Sequence, residues 1–194
     1  MLHARRLAAA LIAALTLVAV GATRADATPL QALSHDQILD RLGRQAGSAA
    51  ELKQQIALQL RYAPGGVQTA PNEVSYDGGK FVVTYALPGA ATAFANPDDC
   101  PFRWFCFYDN YEFGYPRGKL SSCGWQDLAQ FKWNDRTASV HNAVDDVVDF
   151  YNHQDYGHPE YGHALDQHLF TALEYGRIPY VDYPDQADHV IRRC

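Results

Sequence analysis

The spacing of hydrophobic positions changes twice along the chain, and each pattern predicts a different structure. Residues 7–22 form one uncharged, largely apolar run. Between residues 34 and 62 the apolar residues instead recur every three or four positions, which predicts amphipathic helices. From Val74 onward the apolar runs are short and rich in aromatic and β-branched residues, which predicts strands. The chain is therefore expected to pass from a leader, through a short helical region, into a mainly β region.

The apolar run has the features of a secretory signal peptide. It follows Arg5 and Arg6 and ends near the small-residue site Ala25-Asp26-Ala27, so residues 1–27 are predicted to be removed on export. A signal anchor is the alternative, but the run is shorter than the span of about 20 residues that a bilayer requires. We therefore expect a secreted protein without a transmembrane anchor.

Two Ser-x-x-Gln/Glu capping boxes, which begin at Ser34 and Ser48, mark the expected helix starts. Pro64 and the two glycines after it end the second helix. Apolar residues follow each box at helical spacing: Ile38, Leu39 and Leu42 after the first, and Leu52, Ile56 and Leu60 after the second. One short and one longer helix are therefore predicted.

Residues 74–76 and 81–85 flank an Asp-Gly-Gly turn and predict a β-hairpin. Residues 87–99, rich in Ala, Pro and Asn, follow neither periodicity and are interpreted as a linker. This places a boundary between an N-terminal segment (28–99) and a domain over 100–194. Five aromatic or apolar runs in that domain predict an all-β sandwich or barrel: Trp104–Tyr108, Val147–Tyr151, His168–Leu173, Ile178–Tyr183 and Val190–Ile191.

Charge and cysteine content narrow the function classes. The formal net charge of −6 becomes −8 once the leader is removed, which excludes a typical nucleic-acid binder. The even number of cysteines in an exported chain predicts two disulfides, with all three connectivities open. The four cysteines are Cys100, Cys106, Cys123 and Cys194.

The β region contains a diverged internal repeat. Residues 108–114 and 151–157 share an aromatic residue, a second aromatic five positions later and a following glycine. Residues 134–140 and 184–190 align more weakly, through one aspartate and one valine. Two copies of one supersecondary unit are expected, in which the rings cover the core and the glycine adopts a positive φ. The three tryptophans, Trp104, Trp125 and Trp133, are predicted to serve packing.

At these positions the sequence resembles the βγ-crystallin Greek-key motif. The Cys100-Pro-x-x-x-x-Cys106 segment, the Cys123-Gly-Trp125 triplet, and Asn134-Asp135 followed by Ser139-Val140 resemble secreted actinobacterial proteins of peptidase inhibitor family I36. The resemblance covers the chain from Cys100 to its C-terminus, and it implies a Greek-key sandwich behind the helices and hairpin. It departs from the crystallin pattern where Tyr115 and His158 replace the usual glycine.

The resemblance implies inhibition of a secreted protease, a metalloproteinase for the founding member, without a required cofactor. Inhibition would use a rigid loop that loses little entropy on binding. Tyr115, Pro116, Arg117 and Gly118 are predicted to form it, because proline stiffens an exposed turn. Two alternatives remain open: an extracellular calcium-binding structural or stress protein, and a killer-toxin-like secreted protein. Oligomeric state is not predicted.

The resemblance also implies calcium ligands at Asn134, Asp135 and Ser139, since crystallin-like loops supply hard oxygens at these positions. Ala138 replaces one further hydroxyl of the pattern. The alternative is that Asn134 and Asp135 simply cap a turn through side-chain to backbone bonds.

Four histidines recur at intervals of five residues: His153, His158, His163 and His168. This interval fits neither one face of a helix nor one face of a strand, so a single metal ion could gather these rings only in a loop. A tandem duplication on a solvated loop is the alternative. The sequence contains no G-x-S-x-G, H-E-x-x-H or phosphate-loop motif, and we do not expect an enzyme.

Overall fold

The computed structural model describes residues 33–90, 99–154 and 163–194, which form two helices and eleven strands. The predicted leader, most of the predicted linker, His158 and the second aromatic of the second repeat lie outside the described residues. The helices are α1 (His35–Gly43) and α2 (Ala49–Tyr62). The strands are β1 (Val67–Ala70), β2 (Glu73–Tyr76), β3 (Phe81–Thr84), β4 (Phe105–Asn110), β5 (Gly114–Leu120), β6 (Gly124–Asp127), β7 (Ser139–Asn142), β8 (Val147–Asn152), β9 (Gln167–Ala172), β10 (Arg177–Ile178) and β11 (His189–Arg193).

Both helices begin at the predicted caps. The Ser34 hydroxyl accepts from the Gln37 N–H at 3.2 Å, and the Gln37 side chain accepts from the Ser34 N–H at 2.9 Å, which completes the first capping box. In the second, the Ser48 hydroxyl accepts from Glu51 N–H, but the Glu51 carboxylate accepts from Gly47 N–H instead of closing the box. Helix α2 ends at Tyr62, before the Pro-Gly-Gly stop.

The strands form two antiparallel sheets in a doubled Greek-key arrangement. The strand orders are β1-β2-β3-β5-β4-β7-β10 and β6-β11-β8-β9. In each group of four successive strands, the fourth returns beside the first, which defines the Greek key. The third strand of each group, β6 or β10, lies in the sheet of the other group. The predicted mainly β, crystallin-like Greek-key fold is therefore confirmed.

Two reciprocal backbone bonds relate the two Greek keys. Asp135 and Asp185, which the repeat aligns, both adopt left-handed backbone, with φ of 57° and 56°. The Asp135 N–H donates to the Ala187 carbonyl at 3.0 Å, and the Asp185 N–H donates to the Thr137 carbonyl at 3.1 Å. Each bond joins an aspartate to the residue two positions beyond its counterpart. The weak alignment of residues 134–140 with 184–190 thus reflects a true internal symmetry.

The N-terminal segment belongs to the same sheet as the cysteine-rich region. Strand β3 of the predicted hairpin pairs with β5 along its whole length, with Val83 opposite Gly118. The described residues between 33 and 194 accordingly form one compact unit. The boundary predicted near residue 99 therefore marks a change in sequence composition and does not separate two cores.

The first aromatic repeat forms a folded corner between β4 and β5. The rings of Tyr108 and Phe113 meet edge to face, with centroids 5.6 Å apart. Positive φ values occur at Glu112 (53°) and Phe113 (63°), whereas Gly114 opens β5 with no positive φ. The prediction that this glycine adopts a positive φ was wrong, because the two residues before it adopt positive φ values and form the turn.

The tryptophans differ in burial. Trp133 is fully buried, and its ring lies 5.2 Å from that of Phe107. Trp104 is partly buried, whereas Trp125 is 43% exposed and lies outside the core, where its ring centroid is 4.8 Å from that of His163 and 5.7 Å from that of His189. The strand predicted over residues 178–183 is also too long. It ends at Ile178, because the Pro179 carbonyl instead accepts from the N–H of Glu112 in the β4–β5 corner.

A buried ion pair connects the end of β4 to the turn before β7. Arg136, 2% exposed, forms two bonds of 3.1 Å with the Asp109 carboxylate and donates to the Lys132 carbonyl at 2.9 Å. Its guanidinium also lies over the ring of Trp133, 4.4 Å from the centroid. A buried bidentate arginine–carboxylate contact of this kind fixes the relative positions of the two segments more firmly than an exposed ion pair does.

We predict that Asp109→Asn lowers the free energy of unfolding by about 3 kcal/mol, because it leaves the Arg136 charge buried and uncompensated. Asp40→Asn is the matched control: it removes the exposed Asp40–Arg44 pair and should cost less than about 1 kcal/mol. Urea unfolding of both variants measures the difference. Equal effects would show that the buried pair does not anchor the fold.

Candidate functional site

The cysteines form two disulfides, Cys100–Cys106 and Cys123–Cys194. The second ties the last residue of the chain to the residue before β6. The first closes a segment of seven residues that leads into β4 and ends at the second residue of that strand; we call it the disulfide loop (residues 100–106). The predicted number of disulfides is confirmed, and the structure supplies the pairing that the sequence left open.

The disulfide loop presents an exposed aromatic side chain on a fixed backbone. Phe102 is 73% exposed, although it is a large apolar residue. The Trp104 N–H donates to the Pro101 carbonyl at 3.0 Å and turns the loop tightly. The Arg103 N–H donates to the Ala143 carbonyl and the Ala143 N–H to the Trp104 carbonyl, both at 3.0 Å. The loop is thus held by a covalent bond at its base and by backbone bonds along its length.

A neighbouring turn adds further apolar surface. The Tyr175 N–H donates to the carbonyl of Val144, the residue after the loop's partner Ala143, at 3.0 Å. Leu173 and Tyr175 are 65% and 56% exposed. We call Phe102, Leu173 and Tyr175 together the apolar loop surface.

Asn142 organises this arrangement from beneath and is fully buried. Its amide N–H groups donate to the carbonyls of Asp146 at 2.7 Å and Leu173 at 2.9 Å, and its oxygen accepts from the Val144 N–H at 3.2 Å. One side chain therefore fixes both the 143–146 loop and the 173–176 turn. No sequence pattern marks this role, since a single asparagine at a strand end is common.

The residues predicted as the inhibitory loop, Tyr115, Pro116, Arg117 and Gly118, lie instead inside β5. This strand pairs with β3 on one side and with β4 on the other, and Pro116, Arg117 and Gly118 are buried. The prediction of an exposed loop here was wrong. These residues support the disulfide loop: the Arg117 guanidinium donates to the carbonyl of Asp99, and the Tyr115 hydroxyl donates to the Asp99 carboxylate at 3.3 Å.

The structure separates the residues predicted as calcium ligands. Asn134 and Asp135 share a turn, in which the Asn134 amide donates to the Asp135 carboxylate at 3.2 Å. Ser139 is buried in β7, where its hydroxyl accepts from the Phe113 N–H at 2.9 Å and donates to the Asn110 carbonyl at 2.7 Å. The Ser139 hydroxyl thus both accepts from and donates to the β4–β5 corner. Calcium binding stays a prediction.

The three described histidines of the repeat lie in two places. His153 and His163 converge on Asp166, and His189 of β11 joins them; we call these four residues the histidine cluster. His168 instead lies beside Thr171 and Asp149. Sequence reasoning missed Asp166 and His189, because the pairing of β11 with β8 brings His189 to the site.

Asp166 is the centre of the histidine cluster. Its carboxylate lies 2.9 Å from His153 Nδ1, 2.8 Å from His163 Nδ1 and 3.1 Å from His189 Nε2. Burial favours the neutral acid, but the Gln154 N–H and the imidazoles together lower the pKa of Asp166 below its ordinary value. Burial lowers the pKa of His189, which favours its neutral imidazole. Asp166 is therefore a buried carboxylate surrounded by nitrogen donors.

Comparison with known proteins bears on these loops. Residues 93–162, which include the disulfide loop, match the family model of peptidase inhibitor family I36. The resemblance to family I36 is confirmed. No curated protein matches the chain.

Among solved structures, the chain is similar to a βγ-crystallin domain from Clostridium beijerinckii, with 20% identity, coverage of 45% of this chain and 94% of that chain, and a TM-score of 0.35. A mutant of that domain gives 20% identity, 46% and 95% coverage and the same TM-score. Within the described part of the chain, no helix is long and apolar enough to cross a membrane.

A pH-dependent prediction follows from the carboxylates beside Arg136. Burial raises the pKa of Asp185, and the negative charges of Asp109 and Asp135 raise it further, against the opposing effect of Arg136. A raised pKa means that the folded protein binds more protons than the unfolded chain above pH of about 4, so Asp185 lowers stability as pH rises through that window. Asn also tolerates the left-handed backbone at this position.

We therefore expect Asp185→Asn to raise the thermal midpoint at neutral pH, with the gain shrinking as pH falls to about 4. Thermal unfolding in the presence of a chelator, across this pH range, measures the effect. Asp182→Asn, the same exchange three positions earlier in the same loop, serves as the control. A gain of equal size at all pH values would rule out the electrostatic explanation.

Proposed function

We propose that this protein is a secreted peptidase inhibitor that binds its target through the disulfide loop. The observation that carries the proposal is the 73% exposure of Phe102 on a loop closed by Cys100–Cys106 and bonded to the 143–146 loop. An exposed apolar side chain on a fixed backbone could fill a pocket in a peptidase cleft without reordering of the loop.

In this mechanism the rigidity of the disulfide loop raises the affinity for the peptidase. A flexible loop must lose conformational entropy when it enters a cleft, whereas a loop already held in one shape loses little. Large aromatic side chains also contribute disproportionately to protein interfaces when they fill a pocket. Phe102 would enter the specificity pocket, with Leu173 and Tyr175 forming contacts at its margin.

The family match supports the inhibitor function over an enzymatic one, since it covers the disulfide loop and belongs to a peptidase inhibitor family. The two disulfides are consistent with export after removal of residues 1–27. We propose a metalloproteinase with a large apolar specificity pocket as the target, in keeping with the resemblance to the family's founding member.

The test compares inhibition by the mature protein and by two single variants. The wild type should inhibit a thermolysin-like peptidase more strongly than subtilisin-like or trypsin-like enzymes. Phe102→Ala should raise the inhibition constant by at least about tenfold, which corresponds to about 1.4 kcal/mol of lost contact.

Val67→Ala is the matched control, because Val67 is 64% exposed but lies on β1, outside the disulfide loop and the turn beside it. Both side chains are exposed, so both variants should keep the wild-type thermal midpoint. Equal inhibition by Phe102→Ala and wild type would reject the disulfide loop as the contact. Inhibition of none of the three enzyme classes at micromolar concentration would reject the function itself.

A further inference from the structure

We propose that the histidine cluster binds one divalent transition-metal ion, with Zn²⁺ as the best fit. The ligands would be the imidazoles of His153, His163 and His189 and the carboxylate of Asp166. This inference is independent of peptidase inhibition, since no residue of the apolar loop surface takes part.

Three of the four proposed ligands already lie close together, and His189 joins them through its contact with Asp166. One nitrogen of His153, one of His163 and an Asp166 oxygen all lie within 4.8 Å of one another. Ligands at about 2.0–2.1 Å from a tetrahedral zinc ion are about 3.3 Å apart. The contacts of Asp166 to the three imidazoles, 2.8–3.1 Å, are near this value. Small side-chain rotations would therefore exchange hydrogen bonds for metal bonds.

The burial of the ligands favours a built site over a chance surface cluster. The side chains of Asp166 and His189 are only 3% and 4% exposed, whereas those of His153 and His163 are about half exposed. The cluster borders a cleft of about 400 Å³, whose wall includes Trp125. Asp166 thus lies inside the protein, and the three histidines line the cleft through which an ion would enter.

Neighbouring groups hold the ligands in place. The Gln154 N–H donates to the Asp166 carboxylate at 3.2 Å, and the His153 N–H donates to that of Asp188 at 2.8 Å. The ring of Tyr151 stacks on that of His189 at an interplanar angle of 4°. Hydrogen bonds and packing around the ligands orient them and strengthen metal binding.

The chemistry of the ligands selects the metal. Imidazole nitrogens suit Zn²⁺ and other late divalent ions, whereas Ca²⁺ and Mg²⁺ prefer oxygen ligands. Three imidazoles and one carboxylate provide the four ligands of a closed tetrahedral site. With His189 turned toward the ion as the fourth ligand, such a site would be structural, because it would leave no open position for a reacting water.

The metal would connect three separate parts of the β region. His153 follows β8, Asp166 and His163 precede β9, and His189 opens β11. An ion that binds only the folded arrangement stabilises it by mass action. We therefore expect zinc to raise the thermal midpoint as well as to bind stoichiometrically.

The experiment uses the mature chain, prepared without a polyhistidine tag and treated with a chelator that is then removed. Equilibrium dialysis against Zn²⁺ should show one tightly bound ion per chain. Co²⁺ should give the intense visible absorption of tetrahedral coordination. His153→Gln/His163→Gln should weaken zinc binding by at least about 100-fold and abolish the rise in thermal midpoint.

His35→Gln/His168→Gln is the matched control, since it also removes two partly exposed imidazoles but leaves the histidine cluster intact. It should bind zinc like the wild type. Failure of the wild type to take up one ion per chain, or equal binding by the two double variants, would overturn the proposal. These readouts require no peptidase, so a negative result would leave the inhibitor function untouched.

Discussion

The pairing of β3 with β5 determines how the rest of the molecule is arranged. The internal symmetry makes β5 and β9 equivalent, each at the edge of its own Greek key. Unpaired edges expose N–H and C=O groups that invite association with other chains. In the larger sheet, β3 covers this edge and carries β2 and β1 with it, whereas β9 of the smaller sheet pairs only with β8 among the described strands. The symmetry is therefore broken by the segment that precedes the crystallin-like region.

Gln59 fixes the helices onto this extended sheet. It is fully buried on α2, and its amide donates to the Tyr76 hydroxyl at 2.9 Å and to the Phe131 carbonyl at 2.7 Å, while its oxygen accepts from the Tyr85 hydroxyl at 3.0 Å. A buried amide left without these partners would be costly. The position of α2 is thus specified both by the hairpin and by the turn before Trp133, which makes the N-terminal segment part of one cooperative structure.

Sequence patterns correctly predicted the elements that depend on interactions between residues close together in the chain. The capping boxes placed both helices, because a cap depends on residues three positions apart. The β-hairpin followed from its Asp-Gly turn. Strand β5 was misread, because Pro116 and Gly118 are typical of turns and the partner strand β3 is more than 30 residues earlier. Position 118 needs glycine for a reason other than a turn, because a Cβ there would lie 2.3 Å from the Phe107 ring.

The same distinction applies to the two candidate sites. The Cys100–Cys106 segment was visible in the sequence, but the backbone bonds that fix the loop around Phe102 come from Ala143, which follows β7. The histidine repeat pointed to the correct segment, but its five-residue interval carries no information about Asp166 or His189. These residues reach the cluster only because β8, β9 and β11 lie side by side. Pairing between strands that are distant in sequence assembles both sites, and local sequence patterns do not reveal which strands pair.

The disulfide Cys123–Cys194 and the histidine cluster lie at opposite ends of the smaller sheet. Strand β11 begins at His189 in the cluster and ends just before Cys194. At the disulfide end, Arg192 also binds the Asp146 carboxylate at 2.7 Å. Among the described residues, no covalent bond links the strands at the cluster end. A metal ion bound there would hold the strands together as the disulfide does at the opposite end. Because β8 spans six residues, or about 20 Å, between the 143–146 loop and His153, a metal ion bound at one end would stabilise the sheet without touching the apolar loop surface.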